Sequence, residues 1–208
     1  MPMARSNTKE EICLKALELF SAKGFDGTSL SDISSELGLS KAALFKHYDS
    51  KDEILSSIVA MMDEEDGKRA RERCVPEHTK EEDGKEYEKI EKENFLSFAL
   101  SQFEYWTMDK KAKEDRRLLS LERFKREELK RKWDDNFVKG PLCYTKDIFE
   151  SLNVKEAERK ALRLWGVMFL SYSLFDMGED EGKLKEGIEK EMRDILEERN
   201  GIQEKCEI

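Results

Sequence analysis

The chain has few of the residues that enzymes and metalloproteins most often use for chemistry. It holds two histidines and four cysteines, at His47, His78, Cys13, Cys74, Cys143 and Cys206. No Cys-x-x-Cys pair occurs, and neither histidine lies in a metal-binding or nucleophile motif. The sequence therefore predicts no metal site, no disulfide framework, no cofactor and no enzymatic activity.

Proline is also scarce, with three residues in 208, and no segment carries the alternating pattern of a β-strand. No run of 18 apolar residues is present, and the polar N-terminus lacks the apolar core of a signal peptide. Charged residues make up 41% of the chain and apolar residues 38%. We therefore expect an all-α cytoplasmic protein with heavily charged helix surfaces and no contact with a membrane.

The charge balance is acidic, with a formal net charge of −9. Even residues 1–55 contain seven Lys and Arg against nine Asp and Glu. This balance argues against indiscriminate binding to nucleic acid. It leaves room for binding through one local positive patch, because nearby charges dominate in salt.

Three early segments carry the signature of a helix start, in which Ser or Thr is followed three residues later by an acid. These segments are Thr8 to Glu11, Ser29 to Asp32 and Ser50 to Glu53. With the apolar spacing that follows them, they predict helices over residues 9–23, 30–37 and 51–71. Gly24 and Gly38 mark turns, and Ser40 is expected to cap a short helix that ends near Tyr48.

The remainder of the chain predicts further helices. Residues 75–86 have the composition of a loop, and an apolar helical face follows over 87–106. A long charged helix is predicted over 113–139, and Gly140 and Pro141 should break it. Helices over 142–152, 154–177 and 181–199 complete the chain, and the segment 154–177 is apolar on nearly every side.

Two short helices joined through Gly38 form a candidate helix-turn-helix. At helical spacing Leu44 and Tyr48 face inward, whereas Lys41, Ala42, Phe45 and Lys46 share the other face. That face carries two cations and no acid, and Ala42 is small enough to approach a thymine methyl group. The face suits the major groove of DNA.

Further groups near this face suit a phosphate oxygen. The hydroxyls of Thr28 and Ser29 lie at the start of the preceding helix, and Lys51 begins the following one. Lys41 and Lys46 are able to donate either to guanine or to phosphate. The alternative, that these lysines are ordinary solvated charges, stays open on the pattern alone.

Residues 8–58 resemble the DNA-binding domain of the tetracycline-repressor (TetR) family, and the run LGLSKAALFKHYDSKDEIL is highly specific for it. The matching residues are Ile12, Ala16, Leu19, Phe20, Gly24, Phe25, Thr28, Ile33, Leu37, Gly38, Ser40, Leu44, His47, Tyr48, Ser50, Lys51, Asp52 and Leu55. The resemblance implies a three-helix DNA-binding domain over residues 1–50. It also implies a larger helical domain for effector binding and dimerisation over residues 51–208.

The resemblance also implies roles for single residues. It places Lys41, Ala42, Phe45, Lys46 and His47 against DNA. The residues at its phosphate-contacting positions are Thr28, Ser40 and Lys51. The family usually has a tyrosine where this chain has Phe45, which lacks the hydroxyl. In isolation, a histidine beside Leu44 and Tyr48 is more often a packed residue, whereas the family position of His47 favours a contact with the phosphate backbone.

The family pattern further implies a ligand pocket and a homodimer contact in the larger domain. The candidate pocket residues are aromatic: Phe98, Phe103, Trp106, Phe124, Trp133, Phe137 and Tyr144. The candidate dimer residues are Gly166, Leu170, Leu174, Ile188, Met192 and Ile195. For both sets, an ordinary helical core is the alternative.

The sequence thus favours a dimeric repressor that binds double-stranded operator DNA and leaves it when a small apolar or aromatic effector moves the fourth helix. A DNA-bound interaction or chromosome-organising protein without an effector is the alternative. A redox sensor that uses Cys74 or Cys143 is a third hypothesis, with no resolving thiol nearby in sequence.

Overall fold

The computed structural model describes residues 8–72, 75–76 and 80–197. Within these ranges the chain forms eleven helices and no strand, which confirms the all-α prediction. The helices are α1 (Thr8–Lys23), α2 (Leu30–Glu36), α3 (Lys41–Leu44), α4 (Lys51–Glu72), α5 (Lys80–Tyr87), α6 (Lys92–Met108), α7 (Lys110–Glu122), α8 (Glu127–Phe137), α9 (Lys139–Ser151), α10 (Ala157–Asp176) and α11 (Glu181–Glu197).

The prediction of one long helix over 113–139 is wrong, because α7 ends at Glu122 and α8 begins at Glu127. No Gly or Pro lies in this region, so composition alone favours an unbroken helix. The break follows a tertiary contact: the Glu122 side chain is buried against the backbone of Phe25, 97 residues away. Tertiary context here overrides local helix propensity.

The prediction of a loop over 75–86 is wrong in its second half, where α5 occupies Lys80–Tyr87. Lys and Glu are good helix formers, and a single Gly84 is tolerated. Tyr87 is buried, and its ring contacts the ring of Tyr144 on α9 at a centroid distance of 6.1 Å. This aromatic contact holds the otherwise charged helix in place.

The predicted break at Gly140 and Pro141 is confirmed within a few residues. Helix α8 ends at Phe137 and α9 begins at Lys139, which places Pro141 in the first turn of α9. A proline in that turn removes no hydrogen bond, because the first N–H groups of a helix have no partner within the helix.

The chain divides into two compact units. Of the described residues, the first contains 8–69 together with 108–134, and the second contains 70–72, 75–76 and 80–107 together with 135–197. The proposed boundary after residue 50 concerns function and stays a prediction. Among the described residues, no helix is both long and apolar enough to span a membrane.

The first unit is built on α1, which packs against α2 and α7. Its centre is apolar, and burying a single Leu, Ile or Phe side chain contributes about 1.5–3 kcal/mol. The buried residues include Ile12, Ala16, Leu17, Phe20, Ile33, Leu44, Ile54, Ala112, Leu118 and Leu119. This core holds α2 against α1, and α3 packs in turn on α2.

The second unit is built on α10, which packs against α9 and α11. Its core combines aromatic and aliphatic side chains. The buried residues include Phe95, Phe103, Phe137, Ile148, Phe149, Leu164, Ile188, Met192 and Ile195.

Candidate nucleic-acid interface

The turn between α2 and α3 presents the candidate recognition helix. Gly38 has φ +63°, a conformation that glycine adopts without steric cost, and the N–H of Leu39 donates to Ser34 O at 2.8 Å. Ser40 then caps α3, because its Oγ accepts a hydrogen bond from the N–H of Ala43 at 3.1 Å. The predicted turn and the predicted cap are both confirmed.

The α3 segment divides into an inner and an outer face, as predicted. Leu44 and Tyr48 are buried, whereas Lys41, Ala42 and Lys46 are exposed. The Phe45 ring is 42% exposed. The outer face therefore presents two ammonium groups, a methyl group and a ring, with no acidic residue among them.

Ser29 caps α2 in a closed capping box. The N–H of Asp32 donates to Ser29 Oγ at 3.1 Å, and the N–H of Ser29 donates to Asp32 Oδ2 at 2.7 Å. The Ser29 hydroxyl also hydrogen-bonds to this carboxylate, and these two bonds from Ser29 hold the pKa of Asp32 below its ordinary value. The box orients the start of α2, and it places a carboxylate beside Ser29.

The Thr28 side chain points into the protein. Its residue is 1% exposed, and its hydroxyl donates to Gly24 O at 3.0 Å and to Leu19 O at 3.3 Å. The expectation that the Thr28 hydroxyl binds a phosphate oxygen therefore does not fit its position. The hydroxyl instead ties the turn after α1 to the end of that helix, since two backbone carbonyls hold it.

Lys51 is half-buried and its ammonium group is already engaged. Nζ donates to Phe25 O at 2.6 Å and to Thr28 O at 2.8 Å, and it lies 4.2 Å from the Phe25 ring centroid. Sequence reasoning missed this role at the start of α4, because nothing local distinguishes Lys51 from a solvated lysine.

His47, another residue expected to contact DNA, is half-buried and adjoins the exposed face of α3.

Two residues that sequence reasoning missed, Glu122 and Arg126, also reach the turn after α1. Glu122 Oε1 accepts a hydrogen bond from the N–H of Phe25 at 3.1 Å. The Arg126 guanidinium lies 3.7 Å from the Phe25 ring centroid. Both residues sit in a long charged segment with no local signal that marks them as contacts of the helix-turn-helix.

The expected pocket residues fall into different environments. In the second unit, the Trp106 and Phe137 rings pack at 4.7 Å, and Phe103 stacks on Tyr172 at 5.5 Å. Phe98 and Tyr144 have ring centroids 6.1 Å apart. These rings pack against one another as core aromatics do.

Phe124 and Trp133 belong to the first unit. Phe124 is 83% exposed, which is inconsistent with the lining of an enclosed pocket. The Arg123 guanidinium lies 4.7 Å from the Phe124 ring and 4.2 Å from the Trp133 ring. The expectation that Phe124 lines a pocket is therefore corrected.

A groove of about 290 Å³ is present in the second unit, between α6 and α11. Its lining is polar rather than aromatic. The charged residues of the lining are Glu93, Glu104, Lys185, Glu189 and Arg193, and they form ion pairs with one another.

The candidate dimer residues divide into a surface set and a core set. Gly166, Leu170 and Leu174 lie on an exposed face of α10. Large apolar side chains exposed along α10, and at the residue that directly follows it, are Leu162 (61% exposed), Phe169 (40%), Leu170 (58%), Leu174 (36%) and Met177 (85%). We call these five residues, with Gly166, the α10 stripe.

Ile188, Met192 and Ile195 are almost fully buried within their own chain. Their apolar spacing along α11 reflects packing inside the second unit, so these side chains are not available for a surface contact.

The hypothesis of a redox-active cysteine stays a prediction. Cys143 is exposed, and Cys74 lies outside the described residues.

Comparison with known proteins identifies the helix-turn-helix. Residues 12–58 match the family of bacterial regulatory proteins described as the tetR family. The biofilm operon icaADBC HTH-type negative transcriptional regulator IcaR of Staphylococcus epidermidis is 52% identical over 51 residues, which are 24% of this chain and 28% of that protein. The matched segment thus spans little more than a quarter of that relative's length.

Solved structures resemble nearly the whole chain in fold. A TetR-family transcriptional regulator from Bordetella parapertussis has a TM-score of 0.64 at 16% identity, covering 92% of this chain and 95% of that one. AibR in complex with isovaleryl coenzyme A and operator DNA has a TM-score of 0.60 at 17% identity, covering 87% and 95%. At these identities the likeness establishes the fold alone.

Residues 12–58 thus match the tetR family of bacterial regulatory proteins, and the chain as a whole shares the all-helical fold of solved TetR-family structures.

Proposed function

We propose that the chain is a dimeric transcriptional repressor that binds operator DNA through α3 and is released by a small apolar or aromatic effector. The observation that carries the proposal is the outer face of α3. Lys41, Ala42, Phe45 and Lys46 are exposed together there, on a helix that Ser40 caps and buried Leu44 anchors. In this proposal residues 1–50 read DNA, and residues 51–208 bind the effector and the second subunit.

The charge distribution supports local rather than general DNA binding. With a net charge of −9, the whole chain repels the phosphate backbone at long range. At contact distance the two lysines of α3 dominate, because salt screens charges beyond about 8–10 Å. Ser40, His47 and Ser29 lie close to this face in sequence and stay candidate phosphate contacts.

Negative regulation is proposed from the relative that matches the helix-turn-helix. That relative is described as a negative transcriptional regulator of a biofilm operon. Because the match covers only residues in and around α1 to α4, the controlled genes do not carry over. Only the direction of control, which is repression, is proposed for this chain.

The homodimer is proposed from the α10 stripe. Its residues recur at helical spacing, its large apolar side chains are exposed, and large exposed apolar patches mark interfaces. A twofold dimer would supply the two recognition helices that a palindromic site needs, about 34–36 Å apart.

The dimer is tested by sedimentation of Leu170→Glu against the unmodified chain. A buried, unpaired carboxylate in the stripe should turn the dimer into a monomer at micromolar concentration. Lys113→Glu, an exposed change on α7, is the matched control and should leave the mass unchanged. A Leu170→Glu chain that still sediments as a dimer would rule out this face.

The effector is proposed from the aromatic content of the second unit, together with its structural neighbour AibR, which was crystallised with isovaleryl coenzyme A and operator DNA. An effector must bind the DNA-free state more tightly than the DNA-bound state, since equal affinity shifts no equilibrium. The test is release of bound DNA by a panel of short acyl thioesters and aromatic acids. Polar compounds of equal charge serve as controls.

DNA binding is tested with a duplex that the purified chain selects from a random pool. Lys46→Ala and Lys41→Ala should each weaken binding about tenfold and lower the salt slope by about one. Lys113→Ala is the control for loss of a distant positive charge. Failure to select any duplex, or lysine variants with unchanged salt slope, contradicts the assignment of α3.

A second candidate function has one observation in its favour. Phe103, Trp106 and Phe137, which were expected to line a pocket, are buried and packed ring against ring. A well-packed core of this kind suits a DNA-bound interaction protein without an effector. Selection of a duplex with no release by any compound of the panel would favour it.

A further inference from the structure

The turn between α1 and α2 is held by a side chain from the distant end of α7. Glu122 Oε1 accepts a hydrogen bond from the N–H of Phe25 at 3.1 Å. Both residues are buried, with Glu122 1% exposed and Phe25 3% exposed. The backbone of the turn therefore depends on an acceptor that lies 97 residues away in sequence.

The Phe25 side chain is held from the same direction. The Arg126 guanidinium lies 3.7 Å from the ring centroid, and its Nη1 donates to Asp52 Oδ1 at 2.9 Å. Lys51 Nζ lies 4.2 Å from the same centroid and donates to Phe25 O. The segment after α7 and the first turn of α4 thus hold Phe25 jointly.

Phe25 in turn sets where α2 begins. The N–H of Thr28 donates to Phe25 O at 3.3 Å, and the next residue, Ser29, is the N-cap of α2. Helix α2 packs on α3. A shift of the Phe25 backbone is therefore passed through three residues to the helix pair that carries the outer face of α3.

We infer that Glu122 is a positioning residue for DNA binding: its carboxylate holds the Phe25 N–H, so that the end of α7 sets the placement of α2 and α3. This inference rests on the proposed DNA-binding function. It adds to α4 a second element, α7, whose displacement reaches the recognition helix. Glu122 itself touches no DNA, and it acts through Phe25.

The physical reason is the cost of leaving the buried N–H of Phe25 without an acceptor. A buried N–H without a partner is costly, so a chain without this acceptor lets the turn move to find water or another acceptor. If α2 and α3 are correctly placed for DNA binding in only a fraction of the molecules, the measured affinity for DNA falls in proportion to that fraction.

The test compares Glu122→Leu with Glu122→Gln in the full chain. Both variants remove the charge and keep a side chain of similar size, but only glutamine keeps an oxygen for the Phe25 N–H. Thermal unfolding first establishes that each variant is folded. Affinity is then measured for the duplex that the unmodified chain selects from a random pool, and amide hydrogen exchange is measured over residues 24–30.

Glu122→Leu should bind the duplex about five- to tenfold more weakly and lose about tenfold of the amide protection at residues 24–30. Glu122→Gln should restore both to within about twofold of the unmodified chain. Arg123→Ala, a change on the same turn whose contacts are Ser120, Phe124 and Trp133, should alter neither by more than that.

Equal binding and equal protection in the leucine and glutamine variants would overturn the inference. Equal loss in both would also overturn it, because the charge rather than the hydrogen bond would then be responsible. If the unmodified chain selects no duplex, the proposed function fails. Hydrogen exchange still decides in that case whether Glu122 holds the turn.

Discussion

The hydroxyl oxygen of Tyr48 lies 3.0 Å from the sulfur of Cys13, and this hydrogen bond joins the end of the helix-turn-helix to α1 across 35 residues. Both side chains are buried. Burial, together with the bond to Cys13, raises the pKa of Tyr48 to about 12. Burial also raises the pKa of the Cys13 thiol.

A raised pKa in the folded chain makes stability fall at alkaline pH. Above about pH 10 the unfolded tyrosine ionises while folded Tyr48 keeps its proton, so unfolding releases a proton and rising pH favours it. The contribution of Tyr48 should be fully present below pH 10 and lost as the pH rises towards 12.

Tyr48→Phe tests this dependence by urea denaturation at pH 8 and pH 11. At pH 8 the variant should be less stable by about 1 kcal/mol, since Cys13 loses its partner. At pH 11 the difference between the two chains should shrink. Two stability curves that stay parallel from pH 8 to pH 11 would contradict the linkage to Tyr48.

Thr28 should be needed for stability because of its buried hydroxyl. Thr28→Val keeps the shape of the side chain but removes the donor to Gly24 O and Leu19 O. We expect a loss of about 1–2 kcal/mol in the free energy of unfolding, measured by urea denaturation. Thr28→Ser keeps the hydroxyl and should recover most of the loss, whereas equal effects of valine and serine would show that the hydroxyl is unimportant.

Alanine substitutions at Gly24 and Gly38 provide a matched comparison that tests the contact of Glu122 with the turn after α1. Both have positive φ, +77° and +63°, so alanine at either position costs about 1 kcal/mol in backbone strain. Only at Gly24 would the added Cβ meet another group, lying 2.9 Å from Glu122 Oε1, whereas nothing lies within 4 Å at Gly38.

Gly24→Ala should therefore destabilise the chain by clearly more than Gly38→Ala, and the measurement is again the free energy of unfolding in urea. In a Glu122→Ala background the excess cost at Gly24 should disappear, because the oxygen is gone. An unchanged excess in that background would mean that Glu122 is not the group in the way.

The substitution Phe45→Tyr is expected to raise the affinity of the chain for DNA. It is 42% exposed on the outer face of α3, at a position where the TetR family usually has a tyrosine. Phe45→Tyr restores a hydroxyl that can donate to a phosphate oxygen, and it should tighten binding to the selected duplex about threefold to tenfold. Phe45→Leu is the control without a hydroxyl, and no gain for tyrosine over phenylalanine would place residue 45 away from the backbone.

Much of the helix-turn-helix could be predicted from the sequence because its signals are local. Ser29 with Asp32 and Ser40 before α3 each act over three residues, and both caps form as expected. Gly38 likewise marks its own turn. The predicted bounds of α1, α2 and α4 agree with the structure to within one or two residues for the same reason.

The second unit was predicted less well, because the apolar spacing along a helix does not reveal what packs against its apolar face. Ile188, Met192 and Ile195 on α11 and Leu170 and Leu174 on α10 have similar periodicity. The first three are buried in their own chain, whereas the last two are exposed. Periodicity identifies an apolar face, and only packing decides what covers that face.

The sequence by itself thus determined the all-helical class, the capped helix α3 and its local positive face, since each depends on residues a few positions apart. Only the tertiary structure decided that α7 ends at Glu122, that Thr28 and Lys51 point at backbone carbonyls, and that Glu122 holds Phe25. The physical reason is separation along the chain. A hydrogen bond across 97 residues leaves no local pattern, because its two partners become neighbours only when α1 and α7 pack.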